Sequence, residues 1–474
     1  MTMATLALLW IELIGAGVLT LACRELTRFG LVAKLGLSFT LGMMALAVSL
    51  CIASLCGITP VWWIGAIDAT LLWTLTFRFR RFNLRQWLPR SVAVDYHWSW
   101  ESGLQIALIF FVLSICVVAS ATSLLEPLAE WDVLSIHAFK AKVLLHDPIS
   151  SSPFFHDLSL SYAHRDYPLL WALTLAWVWS LVGHADMDAI KVLTPGLLFA
   201  ATAMFYGLVR RSNGRTPALL FTALLVALPM VPSKAVRLMS DPALSLFVLG
   251  TFVSFYSWVK SPHPDDLRLG SLFATGMLFT KNEGMVWFGS LFLGMCTVAL
   301  ARRKRGELRS LTWVILPLLI LSPWFIFRAK IPTVDSDFSS RLDPAIVIGN
   351  FSRFPDVIRG WLSFFCDFPD WLAFWPLLFA LLALTAKRWI RLPLLFLIVS
   401  LALAFCGYSA VFIVAVWEVR ELMDGSANRL LLHMAPLCVY LAAELVRAGG
   451  LLPGALTLES GTEVCEPAEV ASPQ

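Results

Sequence analysis

Long unbroken apolar runs dominate this chain, and the clearest is 103–125, which no charged side chain interrupts. A helix that crosses the hydrocarbon core needs about 20 predominantly apolar residues, so this run alone predicts a membrane span. Twelve further runs follow the same rule: 5–22, 35–55, 58–77, 189–209, 217–232, 242–259, 269–280, 285–300, 311–327, 371–386, 392–416 and 430–446. None alternates with a period of two. In hydrocarbon the backbone has no water to bond, and only helices satisfy their own N–H and C=O groups segment by segment. The predicted fold is an all-α polytopic membrane protein with about 13 transmembrane helices.

Composition narrows the class without changing that picture. Of the 474 residues, 58% are hydrophobic and 14% charged, whereas a water-facing globule carries roughly a quarter charged residues. Ordinary soluble enzymes, disordered chains and nucleic-acid binders with basic faces are excluded on this ground. The nine cysteines form no CxxC pair and lie mostly within apolar runs, which argues against a disulfide framework or a zinc site. The N-terminus has neither a basic leader nor a small-residue cleavage site, so the first run is expected to remain as an anchor.

Net charge is only +4, and the placement of the charges is what carries information. Basic clusters at Arg78 to Arg81 with Arg85, at Arg210-Arg211, at Arg302 to Arg305, and at Lys387-Arg388 with Arg391 mark a cytoplasmic face. Threading the runs between these clusters requires that 168–183 not cross, so this stretch is predicted to be an interfacial helix with Trp171, Trp177 and Trp179 at the headgroup boundary. The outer face then receives two long loops, 126–188 and 328–370, and short turns around Asp241, Lys281 to Glu283 and Trp417 to Asn428. The predicted organisation is a three-helix membrane segment over 1–100, a core over 101–447 and a disordered tail over 448–474.

The first outer loop holds the densest chemistry. Asp132 directly follows a span, and 133–146 fits a surface helix on which Lys140 and Lys142 fall roughly 80° to either side of Asp132 at 100° per residue. A carboxylate so placed can accept a proton from, or orient, a hydroxyl; equally, it can cap a helix N-terminus. His137, His146, His156 and His164 lie in the same loop, but spacings of 8 to 10 residues match no compact zinc pattern. No cofactor is expected, and a divalent metal is the less favoured option. Asp335, Asp337, Asp343, Asp356 and Asp370 read as solvated loop acids, and Asn350-Phe351-Ser352 is a glycosylation triplet by pattern alone.

Ionisable groups also stand at the outer ends of apolar runs: Asp241, Lys281 with Glu283, and Arg429. Charges near lipid are costly and default to a functional reading. Lys234 and Arg237 read instead as snorkelling side chains. A lysine and an arginine converging on one outer pocket can hold a phosphate diester, Arg by a forked contact and Lys as a point charge.

Taken in order, Trp131-Asp132, His137 with Lys140-Ala141-Lys142, His164-Arg165-Asp166-Tyr167-Pro168-Leu169-Leu170, Ser240-Asp241-Pro242, Thr280-Lys281-Asn282-Glu283-Gly284 and Asn428-Arg429-Leu430-Leu431 resemble the bacterial GT-C membrane glycosyltransferases. The pattern is most similar to protein O-mannosyltransferases and lipid A aminoarabinose transferases, over about 102–447. The resemblance implies a GT-C-like core with interfacial helices in the first outer loop. It also implies a polyprenyl-phosphate sugar donor, a glycan, lipid or protein acceptor, and inverting transfer on the periplasmic side of the inner membrane. Asp132 matches the general base, Lys281 and Arg429 match positions near the donor phosphate, and Glu283, Asp241, His164, Tyr167 and Lys142 fall among the substrate-binding positions. Two departures stand out: Leu169 replaces the second proline of a Tyr-Pro-Pro-Leu motif, and Val133 replaces the glutamate of an Asp-Glu pair.

The absence of a nucleotide-binding glycine loop agrees with a donor that carries no nucleotide, and no nucleic-acid partner is expected. The competing classes are a transporter or permease, which places its charges near the midplane on broken helices in two related halves, and a membrane subunit without catalysis.

Overall fold

A computed structural model describes residues 2–80, 86–87, 99–302, 305–332, 341 and 343–451, and no strand occurs among them. The chain begins with α1 (Thr2–Ala22), α2 (Leu31–Leu55), α3 (Trp62–Arg80) and α4 (Trp100–Leu125). The first long loop contains a π-helical turn, Asp132–Ala138, which runs into α5 (Phe139–His146). There follow α6 (Leu170–Val182), α7 (Met187–Ile190), α8 (Leu193–Asn213), α9 (Arg215–Ala227), α10 (Met230–Val236), α11 (Asp241–Lys260), α12 (Pro264–Thr280) and α13 (Glu283–Arg302). The last part comprises α14 (Arg305–Ile320), α15 (Ser322–Arg328), α16 (Pro344–Gly349), α17 (Phe354–Phe365), α18 (Phe368–Trp371), α19 (Phe374–Leu384), α20 (Leu392–Val414) and α21 (Val419–Gly449).

The protein is an all-α, multi-pass membrane protein. Among the described residues, eight helices are long and apolar enough to cross a bilayer, or up to ten if the bent pairs α9 with α10 and α14 with α15 each make one span. The expected count of about thirteen is not confirmed by length and composition. Runs 269–280 and 371–386 become α12, with 17 residues, and α19, with 11; at 1.5 Å per residue neither reaches the roughly 30 Å of hydrocarbon when upright. Run 58–77 becomes α3, whose Asp68, Arg78 and Arg80 lower its apolarity. The bends of 61° and 52° fall beside Pro229 and Pro323, where the ring removes a backbone donor.

The stretch 168–183 does not present its tryptophans at the protein surface. Its α6 is apolar on every face and buried from Leu170 to Trp179, with Trp171, Trp177 and Trp179 at most 1% exposed. A helix hydrophobic all round belongs in a core. It packs against α1, α2, α5 and α7, so its tryptophans meet protein where headgroups were expected.

The helices before residue 101 are joined closely to the rest. A methyl group added at Gly15 would sit 1.7 Å from the Ser38 carbonyl oxygen, one at Gly42 would sit 1.9 Å from that of Ile11, and one at Gly36 would meet the Met204 backbone nitrogen at 2.4 Å. Small residues thus let α1, α2 and α8 bring their backbones together, the packing that substitutes for hydrophobic drive inside lipid.

Side-chain contacts define two ends of the bundle. At one end Asp266 pairs with both Arg28 and Arg211 at 3.0 Å, and Asp265 accepts from the backbone N–H groups of Arg24 and Glu25 at 2.7 and 3.1 Å. Near them Glu444, fully buried, accepts from Tyr256 and Arg447, both at 2.6 Å. Arg80 and Arg302 reach carbonyls at the same end, and the Ala386–Arg388 turn packs on the end of α21. The described members of the basic clusters therefore gather together. These buried acids at the basic end were not foreseen. Arg81, Arg85, Arg303, Lys304, Asp335, Asp337 and the tail from 452 lie outside the described residues. The opposite end holds the loops after α4 and the starts of α11, α13 and α21.

Candidate functional site

Four chain segments converge at the loop end. The π turn presents Asp132 a short loop beyond the end of α4 at Leu125, and Asp241 stands at the first position of α11, ahead of Pro242. Lys281 and Asn282 occupy the break between α12 and α13, with Glu283 opening α13. Arg429 and His433 lie four residues apart on α21 and so share one face.

These side chains form a continuous ionic chain. Arg429 Nη2 donates to Asp132 Oδ2 at 2.6 Å and to Asp241 Oδ2 at 3.2 Å. Lys281 Nζ reaches Asp241 Oδ1 at 3.0 Å and Glu283 Oε1 at 3.2 Å. His433 Nε2 lies 2.9 Å from Asp241 Oδ1. Asp241 is completely buried and Lys281 is 3% exposed, whereas Arg429 and Asp132 keep 20% and 25% of their side-chain surface in contact with solvent. The chain thus runs from a closed interior to an open mouth. Burial alone would drive Lys281 to lose its proton, but the Asp241 and Glu283 carboxylates more than offset it and hold the group above the ordinary lysine range. Asn282 Oδ1, Glu283 Oε2 and Arg429 Nε are buried atoms without a partner among the described residues.

The loop His164 to Tyr167 closes one wall. His164 takes a left-handed backbone conformation, with φ at 46°, and its ring stacks on Tyr167 at 4.4 Å. Both rings feel the charges of Asp132 and Glu283. Burial holds the His164 imidazole below its usual range and the Tyr167 phenol well above its own. Asp166 bonds Arg328 at 3.0 Å and Asn282 at 3.2 Å. Burial opposes its ionisation, yet Arg328 and these bonds hold it below the ordinary carboxylate value. His137, buried beneath, meets the Ser240 hydroxyl at 3.0 Å, and burial with nearby Lys140 keeps it well below the usual histidine range.

Seven of the eight site residues singled out from sequence, Asp132, His164, Tyr167, Asp241, Lys281, Glu283 and Arg429, fall into this one neighbourhood. Lys142 does not: it is exposed, and among the described residues it makes no ion pair. The expected polar arc around Asp132 fails because the chain leaves Asp132 through a π turn. Its wider turns shift the phase of every later side chain relative to 100° steps. Lys140 turns inward instead and donates to the His164 carbonyl at 2.7 Å. Of the loop acids, Asp343 caps α16 through the Ala345 N–H at 2.8 Å, and Asp356 pairs with Arg359 on the surface. Asp370 bonds Asn428, the residue before Arg429. Arg237, read as snorkelling, contacts Glu130. Sequence reasoning gave no site role to His433, to Arg328 or to Asp166, which it quoted only within a motif; for His433 the signal was its i+4 spacing from Arg429.

Among the described residues Lys140 has no carboxylate in direct contact, and burial pushes it down to about 7. Between that value and the ordinary lysine pKa near ~10.4, the unfolded chain holds a proton that the folded chain lacks, so stability climbs as pH rises through the window and is lowest below about 7. Lys140→Met is expected to flatten this rise in thermal unfolding followed from pH 7 to about pH 10 in detergent. An unchanged slope would show that Lys140 does not titrate there.

Among the described residues no group of three or more His, Cys, Asp or Glu side chains is arranged to hold a metal ion. Searches against family models, curated proteins and solved structures find no match to this chain. What the site does is therefore read from its own chemistry.

Proposed function

We propose that this protein is a membrane glycosyltransferase that moves a sugar from a polyprenyl-phosphate donor to an acceptor hydroxyl, with its site on the periplasmic side of the inner membrane. The observation that supports this reading best is the ionic chain from Asp132 through Arg429 and Asp241 to Lys281 and Glu283, at the end opposite the basic clusters. A basic end favours the cytoplasm, which leaves this chain outside, where a lipid-borne phosphate rests at the membrane boundary.

In this mechanism Asp132 takes the proton of the acceptor hydroxyl as its oxygen attacks the sugar carbon from the face opposite the phosphate. The bond from sugar carbon to phosphate oxygen breaks, the configuration inverts, and negative charge grows on the leaving phosphate. Arg429 meets that charge. Its Nη2 is engaged by the two aspartates, and the side chain keeps 20% of its surface exposed at the mouth of the site, where the guanidinium can meet a phosphate oxygen. Lys281 is buried and held by two carboxylates; it acts by fixing Asp241 and adding positive potential beneath the phosphate, with Arg429 as the direct contact. His164 and Tyr167 supply a ring wall beside the base.

The two bent helix pairs are the feature that favours a transporter. Their breaks, however, fall at Leu228-Pro229 and Leu321, which carry no ionisable group, and the ionic chain lies elsewhere. Mass spectrometry of cell-envelope glycans and lipid-linked sugars, with and without the protein, tests the transferase reading. The expected result is an accumulated donor and one acceptor missing its sugar; identical profiles would count against it.

A further inference from the structure

Behind Asp241 a line of polar groups runs into the apolar interior. The Trp287 indole Nε1 lies 2.7 Å from the Tyr408 hydroxyl, that hydroxyl lies 3.0 Å from His433 Nδ1, and His433 Nε2 lies 2.9 Å from Asp241 Oδ1. The three side chains come from α13, α20 and α21 and are all buried. Helical spacing ties the line to the site: Trp287 stands four residues after Glu283, and His433 four after Arg429.

The direction of every proton in this line follows from bond counting. An indole N–H can only donate, so the Tyr408 oxygen accepts from Trp287. The Tyr408 hydrogen then has one acceptor in the line, His433 Nδ1. That leaves the single imidazole proton on Nε2, aimed at Asp241. With a proton on Nδ1 instead, Tyr408 would receive two donors, and its own hydrogen would have no acceptor among its bonding partners.

We infer that Trp287, Tyr408 and His433 form a one-way hydrogen-bond relay that sets the rotation of the Asp241 carboxylate and, through it, the aim of Arg429 and Lys281. Lys281 and His433 share Oδ1, while Arg429 takes Oδ2. A carboxylate held only by a flexible ammonium and a guanidinium can swivel; a rigid imidazole, itself pinned by a phenol and an indole, removes that freedom. Apolar side chains of similar size would fill the same space without leaving polar groups to satisfy, so packing alone does not call for this line. None of the three touches the mouth of the site, and they are positioning residues. That the aimed cations serve a phosphate rests on the transferase reading; the relay itself does not.

Nitrogen-15 spectra of histidine-labelled protein in nanodiscs test the relay without any activity, with His433→Gln identifying the signals of His433. The wild type is expected to show its proton on Nε2 and a hydrogen-bonded, unprotonated Nδ1. Tyr408→Phe, which removes one oxygen and is the mildest variant, should move the Nδ1 signal strongly, and Trp287→Phe should move it less. A wild-type proton on Nδ1, or an Nδ1 signal unmoved in Tyr408→Phe, overturns the relay.

A second measurement follows binding of a short-chain polyprenyl phosphate by native mass spectrometry. Affinity should fall about tenfold in His433→Ala and recover in part in His433→Gln, whose amide restores a donor to Asp241. Unchanged affinity in Tyr408→Phe, His433→Gln and His433→Ala overturns the aiming role. If the wild type shows the expected spectra yet binds no polyprenyl phosphate, the transferase reading falls and the relay stands.

Discussion

Asp132→Asn is expected to abolish sugar transfer, a loss of about 10²- to 10⁴-fold for removal of a general base, while the protein stays folded. The amide has the shape of the carboxylate and still offers Arg429 an oxygen, but it cannot take a proton from the acceptor. Stability should change little because Asp132 is partly exposed and Arg429 keeps Asp241 as a second partner at 3.2 Å. An ion pair open to solvent contributes about 1 kcal/mol or less. Transfer from a polyprenyl-phosphate sugar, measured beside the unfolding midpoint in detergent, separates the two effects. Full activity in this variant would refute the assignment of Asp132 as base.

The largest loss of stability is expected at Asp241. This carboxylate faces Lys281, Arg429 and His433 at once and has no exposed surface. Asp241→Ala leaves the Lys281 ammonium buried with Glu283 alone, and stranding a buried partner costs about 3–5 kcal/mol. The unfolding midpoint should fall clearly, and activity with it. Coupling gives a sharper check. Lys281→Met placed on top of Asp241→Ala removes the stranded charge and should restore part of the lost stability, so that the two effects do not add. A midpoint unchanged in Asp241→Ala would mean that the ionic chain is not what holds these helix ends together.

Much of the architecture was legible before any coordinates. Run 103–125 became α4 almost unchanged, because an uncharged stretch of that length has one stable state in hydrocarbon. That Asp241, Lys281, Glu283 and Arg429 gather away from the basic end was legible for the same reason, since a charge beside an apolar run sits where the run ends. Trp171, Trp177 and Trp179 were misread because a headgroup belt and a buried helix draw on the same residues; composition does not say whether an indole faces lipid or protein. Neither Lys140 nor Lys142 flanks Asp132, the first being buried on the His164 carbonyl and the second exposed, because a π turn is a local change of pitch that no periodicity in Trp131 to His146 announces.

Sequence by itself determined that this protein lives in a membrane, that its spans are helices, and which segments carry charge at their ends. These follow from the transfer energy of side chains and backbone, which each segment meets on its own. Only the tertiary structure decided that Asp132 reaches Arg429 across nearly three hundred residues, that Asp241 joins Lys281 to His433, and that Tyr408 and Trp287 stand behind them. Such contacts depend on which helix faces which neighbour and at what depth. In lipid that choice rests on close packing of small residues such as Gly15, Gly36 and Gly42, and packing is a property of pairs of surfaces that no single segment contains.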